Sequence, residues 1–258
     1  MGPLTKYNGG MLRVFIFSAL ISAAHGQLVD DFAPPRGTCC LAGAAQNLAN
    51  QLQDWNQLGR YHADNVKLRA EPVPAGRVVF MGDSITDGWK LAEQFPGKPY
   101  VNRGISGQTT AQMLNRIFQD VIDLQPAALV IFAGTNDIAR NNGPQTLEMI
   151  EENIQAMTEL AKLHGIKVVL CSVMPISDYV PNRLQSKGRP PTDILKLNVW
   201  IKDYSARSGS VFADFYGVTV DEKGWLKEGF SNDGLHPNEK GYALMVPAVS
   251  GAIGLALR

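Results

Sequence analysis

The chain has 258 residues, enough for one well-packed domain plus appendages, and needs no metal or disulfide staple to build a core. Hydrophobic residues make up 45% and charged residues 19%, which excludes disorder over most of the length. Lys+Arg and Asp+Glu both number 24, and no basic cluster stands out, so a nucleic-acid partner is not expected.

The N-terminus reads as a leader. Lys6 and Arg13 precede the apolar stretch Val14–Ala24, and Ala24-His25-Gly26 offers small residues for cleavage. Residues 1–26 are therefore expected to be a signal peptide, and the protein to be secreted or periplasmic with no stable membrane insertion after cleavage. A terminal membrane anchor is the competing reading. Cleavage removes two cations and no acid, leaving 22 Lys+Arg against 24 Asp+Glu, a net charge of −2. The odd count of three cysteines leaves at least one unpaired within the chain: Cys39 and Cys40 are adjacent, and Cys171 lies in an apolar run.

Residues 27–70 are expected to form an arm and a leading helix over 41–64, and residues 71–258 the main domain. Strands are expected at Arg77–Met81, Tyr100–Asn102, Ala128–Ala133, Lys167–Val173 and Val211–Phe215. Between them come a helix over 109–124, with Met113, Ile117, Val121 and Leu124 on one face, and a helix opened by Pro144. That second helix carries the stripe Leu147, Ile150, Ile154, Met157 and Leu160, and Gly165 closes it. Further helices are expected over 191–208 and 239–257. Continuous apolar strands alternating with amphipathic helices predict a parallel sheet covered on both faces, with chemistry at the carboxyl ends of its strands.

Four of those ends carry polar blocks. They are Gly82-Asp83-Ser84-Ile85-Thr86-Asp87, Asn102-Arg103-Gly104-Ile105-Ser106-Gly107, Gly134-Thr135-Asn136-Asp137 and Asp233-Gly234-Leu235-His236-Pro237-Asn238. Taken singly, Ser84 is a helix cap, Gly104 and Asn136 are turn residues and His236 is a loop histidine. Taken together they hold the parts of an acyl-transfer site. A serine hydroxyl needs a base to become a nucleophile, and histidine is the usual one. After leader cleavage only His62, His164 and His236 remain, and only His236 stands in a strand-end loop. Asp233, three residues earlier, can orient its ring. The N–H groups of Ser84 and Gly104 and the Asn136 amide are candidate oxyanion donors.

The four blocks, in order from Arg77 to the C-terminus, resemble those of the GDSL or SGNH hydrolases. Ile85 stands where the name motif has Leu. Among family members, compact bacterial esterases similar to platelet-activating-factor acetylhydrolase catalytic subunits and lysophospholipase-like enzymes are the nearest in character. The resemblance implies a three-layer, flavodoxin-like α/β sandwich with a five-stranded parallel sheet in the order 2-1-3-4-5. It implies Ser84 as nucleophile, His236 as base oriented by Asp233, and Ser84, Gly104 and Asn136 as the oxyanion hole. The expected activity is hydrolysis of a carboxylic ester, short-acyl, carbohydrate or lysophospholipid in type, through an acyl-enzyme. The substrate would be a small molecule or a polysaccharide. An acyltransferase on the same site and a non-catalytic glycan-binding module are the alternatives.

No metal-ligand or phosphate-loop pattern is visible, so no metal and no cofactor are expected. Asp83, Asp87 and Asp137 read as acceptors that fix their loops. Trp89 serves either a substrate pocket or the core. Arg103 and Arg140 read as solvated surface charges. The segment Ser177–Pro191 is a lid or a plain surface excursion.

Overall fold

The computed structural model describes residues 52–258; the expected signal peptide, the expected arm, Cys39, Cys40 and the start of the expected leading helix lie outside them. Five parallel strands form one sheet in the order β2-β1-β3-β4-β5. They are β1 Val78–Gly82, β2 Tyr100–Gly104, β3 Ala128–Phe132, β4 Lys167–Cys171 and β5 Val211–Ala213. β1 pairs with β2 on one side and β3 on the other, so the chain switches direction at the end of β1, and Ser84 follows there.

Side chains alternate across the sheet. Val79, Met81, Leu129, Ile131, Val168 and Leu170 face one helical layer, while Val78, Phe80, Val130, Phe132 and Val169 face the other. Because both faces are covered, β1 and β3 are apolar at every position, unlike a half-exposed strand. The first layer includes α7 Leu147–Leu163 and α8 Pro191–Ser208, and the second is dominated by α10 Glu239–Ala256. Each fully buried Val, Leu, Ile, Met or Phe contributes roughly 1.5–3 kcal/mol. No helix among the described residues is long and apolar enough to cross a membrane.

Several boundaries differ from expectation, each for a local reason. The leading helix does not run unbroken: residues 54–58 turn, the Asp54 carboxylate accepts from Leu58 and Gly59 N–H at 2.8 and 2.9 Å, and α1 then runs Gly59–Ala70. The helix expected over 109–124 is three pieces, α4 Thr110–Asn115, α5 Ile117–Asp120 and a 3₁₀ turn Ile122–Leu124, yet Met113, Ile117, Val121 and Leu124 are all buried. Pro144 does not open α7; Thr146 caps it, accepting from Met149 N–H at 3.2 Å. β5 stops at Ala213 because Asp214 caps a short helix, α9 Phe215–Thr219, by accepting from Gly217 N–H.

Candidate active site

Ser84 is the first residue of α2 Ser84–Asp87, a single turn directly after β1. Its N–H is one of the orphan donors every helix start leaves. The buried Asp83 carboxylate before it accepts from Ile85 N–H at 3.0 Å and fixes the turn. Burial pushes the Asp83 carboxyl up to about 7; the Ile85 N–H draws it down and the charge of Asp137 adds to the rise.

The Ser84 Oγ lies 2.8 Å from His236 Nε2, across 152 residues of sequence. On the other side of the ring, His236 Nδ1 lies 2.6 Å from Asp233 Oδ2. The spacing Asp-x-x-His works because Asp233 Oδ1 accepts from the N–H groups of Leu235 and His236, closing a tight turn that brings the ring onto the other carboxylate oxygen. Partial burial would raise the Asp233 carboxyl, but the His236 ring, these two N–H groups and the His236 charge outweigh it and hold it at about 2.

Asn136 sits in α6 Thr135–Ile138, after β3. Its Oδ1 accepts from Asn141 Nδ2 at 2.8 Å and from Arg189 Nη2 at 3.4 Å. Its Nδ2 donates to the Gln108 carbonyl at 3.1 Å, which leaves one amide hydrogen for a substrate.

Gly104 corrects the sequence reading. Its N–H donates to Asn102 Oδ1 at 2.8 Å and is spent inside its own strand end. Glycine is required at 104 for a different reason: a Cβ there would lie 2.1 Å from Asp87 N and 2.5 Å from Thr86 C, so this strand end touches the backbone of α2. Three residues on, Gly107 has φ +82° and an N–H with no acceptor among the described residues. Its loop is held on both sides, by Ser106 N–H and Oγ donating to Asp87 Oδ2 and by Asn136 donating to Gln108.

Other expectations sort as follows. Asp87 and Asp137 are loop-fixing acceptors, the latter taking the Thr110 N–H at 2.9 Å and its hydroxyl at 2.5 Å. Burial pushes Asp137 up to about 6 against those two bonds. Trp89 is core, 2% exposed, packed among Phe80, Phe95, Phe215 and Tyr242. Cys171 is buried, and burial raises its thiol well above the ordinary range, so it is inert.

Arg103 is not a solvated surface charge. It is 2% exposed, donates to Asp64 and Asn65 of α1, and stacks on Tyr61, whose hydroxyl donates to the Gly104 carbonyl. The segment Ser177–Pro191 is tied to the site: Gln185 donates to the Asp233 carbonyl, and Arg189 reaches Thr135 and Asn136.

Two functional residues escaped the sequence reading. Arg189 carried no signal beyond its place in a polar loop. Arg116 is fully buried and donates to the Gly82 and Arg103 carbonyls, to Gln108 and to Asp120, so it clamps the ends of β1 and β2 beside Ser84. An Arg four residues before Asp120 in an otherwise apolar stripe was the available signal.

Comparison with known proteins assigns the chain to a family. The model of the GDSL-like lipase/acylhydrolase family matches residues 80–244. The chain belongs to that family, and with it to the carboxylic ester hydrolases. A solved structure from Bacteroides fragilis, assigned as an acylhydrolase, shares 39% identity over 80% of this chain and 99% of its own, with a TM-score of 0.73. The esterase TesA of Pseudomonas aeruginosa is 29% identical over 47% of this chain. An acetylxylan esterase of Xylanibacter ruminicola is 24% identical over 72%. The chain spans 66% and 45% of the lengths of these two curated relatives.

Proposed function

We propose that this family member is an exported serine esterase working through an acyl-enzyme. The observation that carries the reading is the unbroken relay from Ser84 Oγ to His236 Nε2 at 2.8 Å and from His236 Nδ1 to Asp233 Oδ2 at 2.6 Å. As Ser84 Oγ attacks the ester carbonyl carbon, His236 takes its proton, and Asp233 stabilises the imidazolium that forms. The carbon–oxygen bond to the alcohol then breaks, with His236 returning the proton to the departing oxygen. Water attacks the acyl-Ser84 in the reverse sense, releasing the acid.

The carbonyl oxygen gains negative charge in both halves and needs donors that are already in place. Ser84 N–H and the remaining Asn136 amide hydrogen fill that role. Gly107 N–H replaces Gly104 as the third donor: it lies in the loop pinned between Asp87 and Asn136, and it has no acceptor among the described residues. The substrate is a short-acyl carboxylic ester; acetylxylan, the substrate named for the Xylanibacter relative, is one member of that class.

The test is hydrolysis of p-nitrophenyl acetate, butyrate and octanoate by the purified protein beside Ser84→Ala. Wild-type turnover should fall at least about 10³-fold in the variant. Mass spectrometry after a rapid acid quench should find one acyl group on Ser84. Turnover that survives Ser84→Ala would exclude the assignment.

A further inference from the structure

Beside the oxyanion loop lies a cleft of about 660 Å³, a volume typical of small-molecule sites. It separates the segment before α1 from the loops that follow β2 and β3, and its wall includes Ser106 and Gly107 of the loop proposed to hold the carbonyl oxygen. Its other walls include Trp55, Gln57, Arg60, Gln112 and Asn142. No aliphatic side chain lines it among the described residues.

The charges in this wall are already matched. The Asp54 carboxylate is occupied by Leu58 and Gly59 N–H, and Arg60 pairs with Asp87 at 3.2 Å. What remains is a set of neutral amide donors and acceptors and one indole, 41% exposed. Asn141 and Asn142 each spend one amide hydrogen, on Asn136 and Gln112, and their side-chain carbonyl oxygens accept from no donor among the described residues. A fatty acyl chain would find nothing apolar here beyond one ring, and each methylene left unburied forgoes roughly fourfold in binding. A phosphate would find no unmatched cation. A neutral, hydroxyl-rich molecule with one apolar face fits both halves of the wall, which is the chemistry of a pyranose sugar.

The platform is also fixed before any ligand arrives. Gln112 Nε2 donates to the Trp55 carbonyl at 2.6 Å, and Gln108 Nε2 to the Asn56 carbonyl at 2.8 Å. The Gln108 carbonyl in turn accepts from Asn136. One residue thus ties the indole segment to the oxyanion amide, so little ordering is left for binding to accomplish.

We propose that this cleft is a carbohydrate subsite with the Trp55 indole as its stacking face, holding the sugar portion of an ester whose acyl carbonyl lies at Ser84. The inference rests on the serine-esterase reading and names its substrate class as acyl esters of neutral oligosaccharides.

Two measurements on the full protein test it. In kinetics, Trp55→Ala should lower the ratio of kcat/KM on acetylated xylo-oligosaccharide to kcat/KM on p-nitrophenyl acetate by about tenfold, chiefly through KM. Trp55→Phe should recover part of that loss, and it carries the comparison alone if Trp55→Ala does not fold. A ratio unchanged within about twofold overturns the subsite, as does a loss confined to p-nitrophenyl octanoate, which would make the cleft an acyl pocket. In calorimetry, Ser84→Ala should bind xylo-, cello- or mannohexaose, and Ser84→Ala combined with Trp55→Ala should bind it about tenfold more weakly. Absence of binding to all three overturns the subsite. Absence of any Ser84-dependent ester hydrolysis would instead sink the esterase reading, and the calorimetry would still decide the subsite.

Discussion

Two glycines of the block after β2 should differ sharply in what the same added methyl group does to the rate. At Gly104 a Cβ would sit 2.1 Å from Asp87 N and 2.7 Å from Asp87 Cα, all backbone with no rotamer to yield. Ordinary contact needs about 3.4 Å or more, so β2 and α2 must separate by roughly 1 Å. Overpacking of this kind costs about 1–3 kcal/mol. For a domain of this size that lowers the unfolding midpoint by roughly 2–12 °C, at about 2–4 °C per kcal/mol. Because α2 begins at Ser84, the shift moves the nucleophile, and a 1 Å misplacement can cost about 10²-fold in rate. At Gly107 a Cβ meets nothing within 4 Å; the cost is only that of the left-handed backbone at φ +82°, about 1–2 kcal/mol. Gly107→Ala should therefore keep kcat within about tenfold of wild type, since its N–H survives the change. The assay is thermal unfolding beside kcat on p-nitrophenyl acetate for both variants. A Gly104→Ala protein with wild-type midpoint and kcat would refute the close-approach argument.

Asn136→Ala should lower kcat by about 10²–10³ with little change in KM, measured on the same ester; a kcat within threefold of wild type would remove the amide from the oxyanion hole. Arg116→Met strands the buried Asp120 carboxylate beside Asn65 alone and leaves the Gly82 and Arg103 carbonyls short of a donor, so it should cost about 3–5 kcal/mol by chemical denaturation. Adding Asp120→Leu should recover much of that loss, and failure to do so would mean the clamp on β1 and β2 dominates. The folded protein holds the Asp83 proton to about 7 against an ordinary 3.8, so its contribution to stability is complete below pH 4 and is lost as pH rises through 7. Asp83→Asn should thus narrow the difference in unfolding midpoint between pH 5 and pH 8, and an unchanged difference would show that Asp83 does not titrate there.

Much of the catalytic face was legible before any coordinates. Strand positions came from short β-branched runs such as Val78-Val79-Phe80-Met81, and the candidate triad from one histidine standing in the right kind of loop. Both are local signals. Arg103 was misread because its solvation depends on Asp64 and Asn65, some 40 residues away, which no local pattern announces. The leading helix reads as unbroken because its apolar spacing continues through residues 54–58, where the Asp54 carboxylate caps the next helix, which runs on to Ala70. Gly104 reads as a donor from its strand-end block alone; α2 fills the space beside it, and Asn102 takes its N–H.

The amino-acid sequence by itself determined the alternation of strands and helices and the chemical parts on offer, because periodicity and turn chemistry act over a few residues. Only the tertiary structure decided that Ser84 and His236 meet at 2.8 Å, and that Gly107 rather than Gly104 has an N–H with no acceptor among the described residues. It also decided that Trp55 and Gly107 line one polar cleft. Those facts depend on how the sheet order brings distant strand ends together, and on which polar groups find partners once they are there.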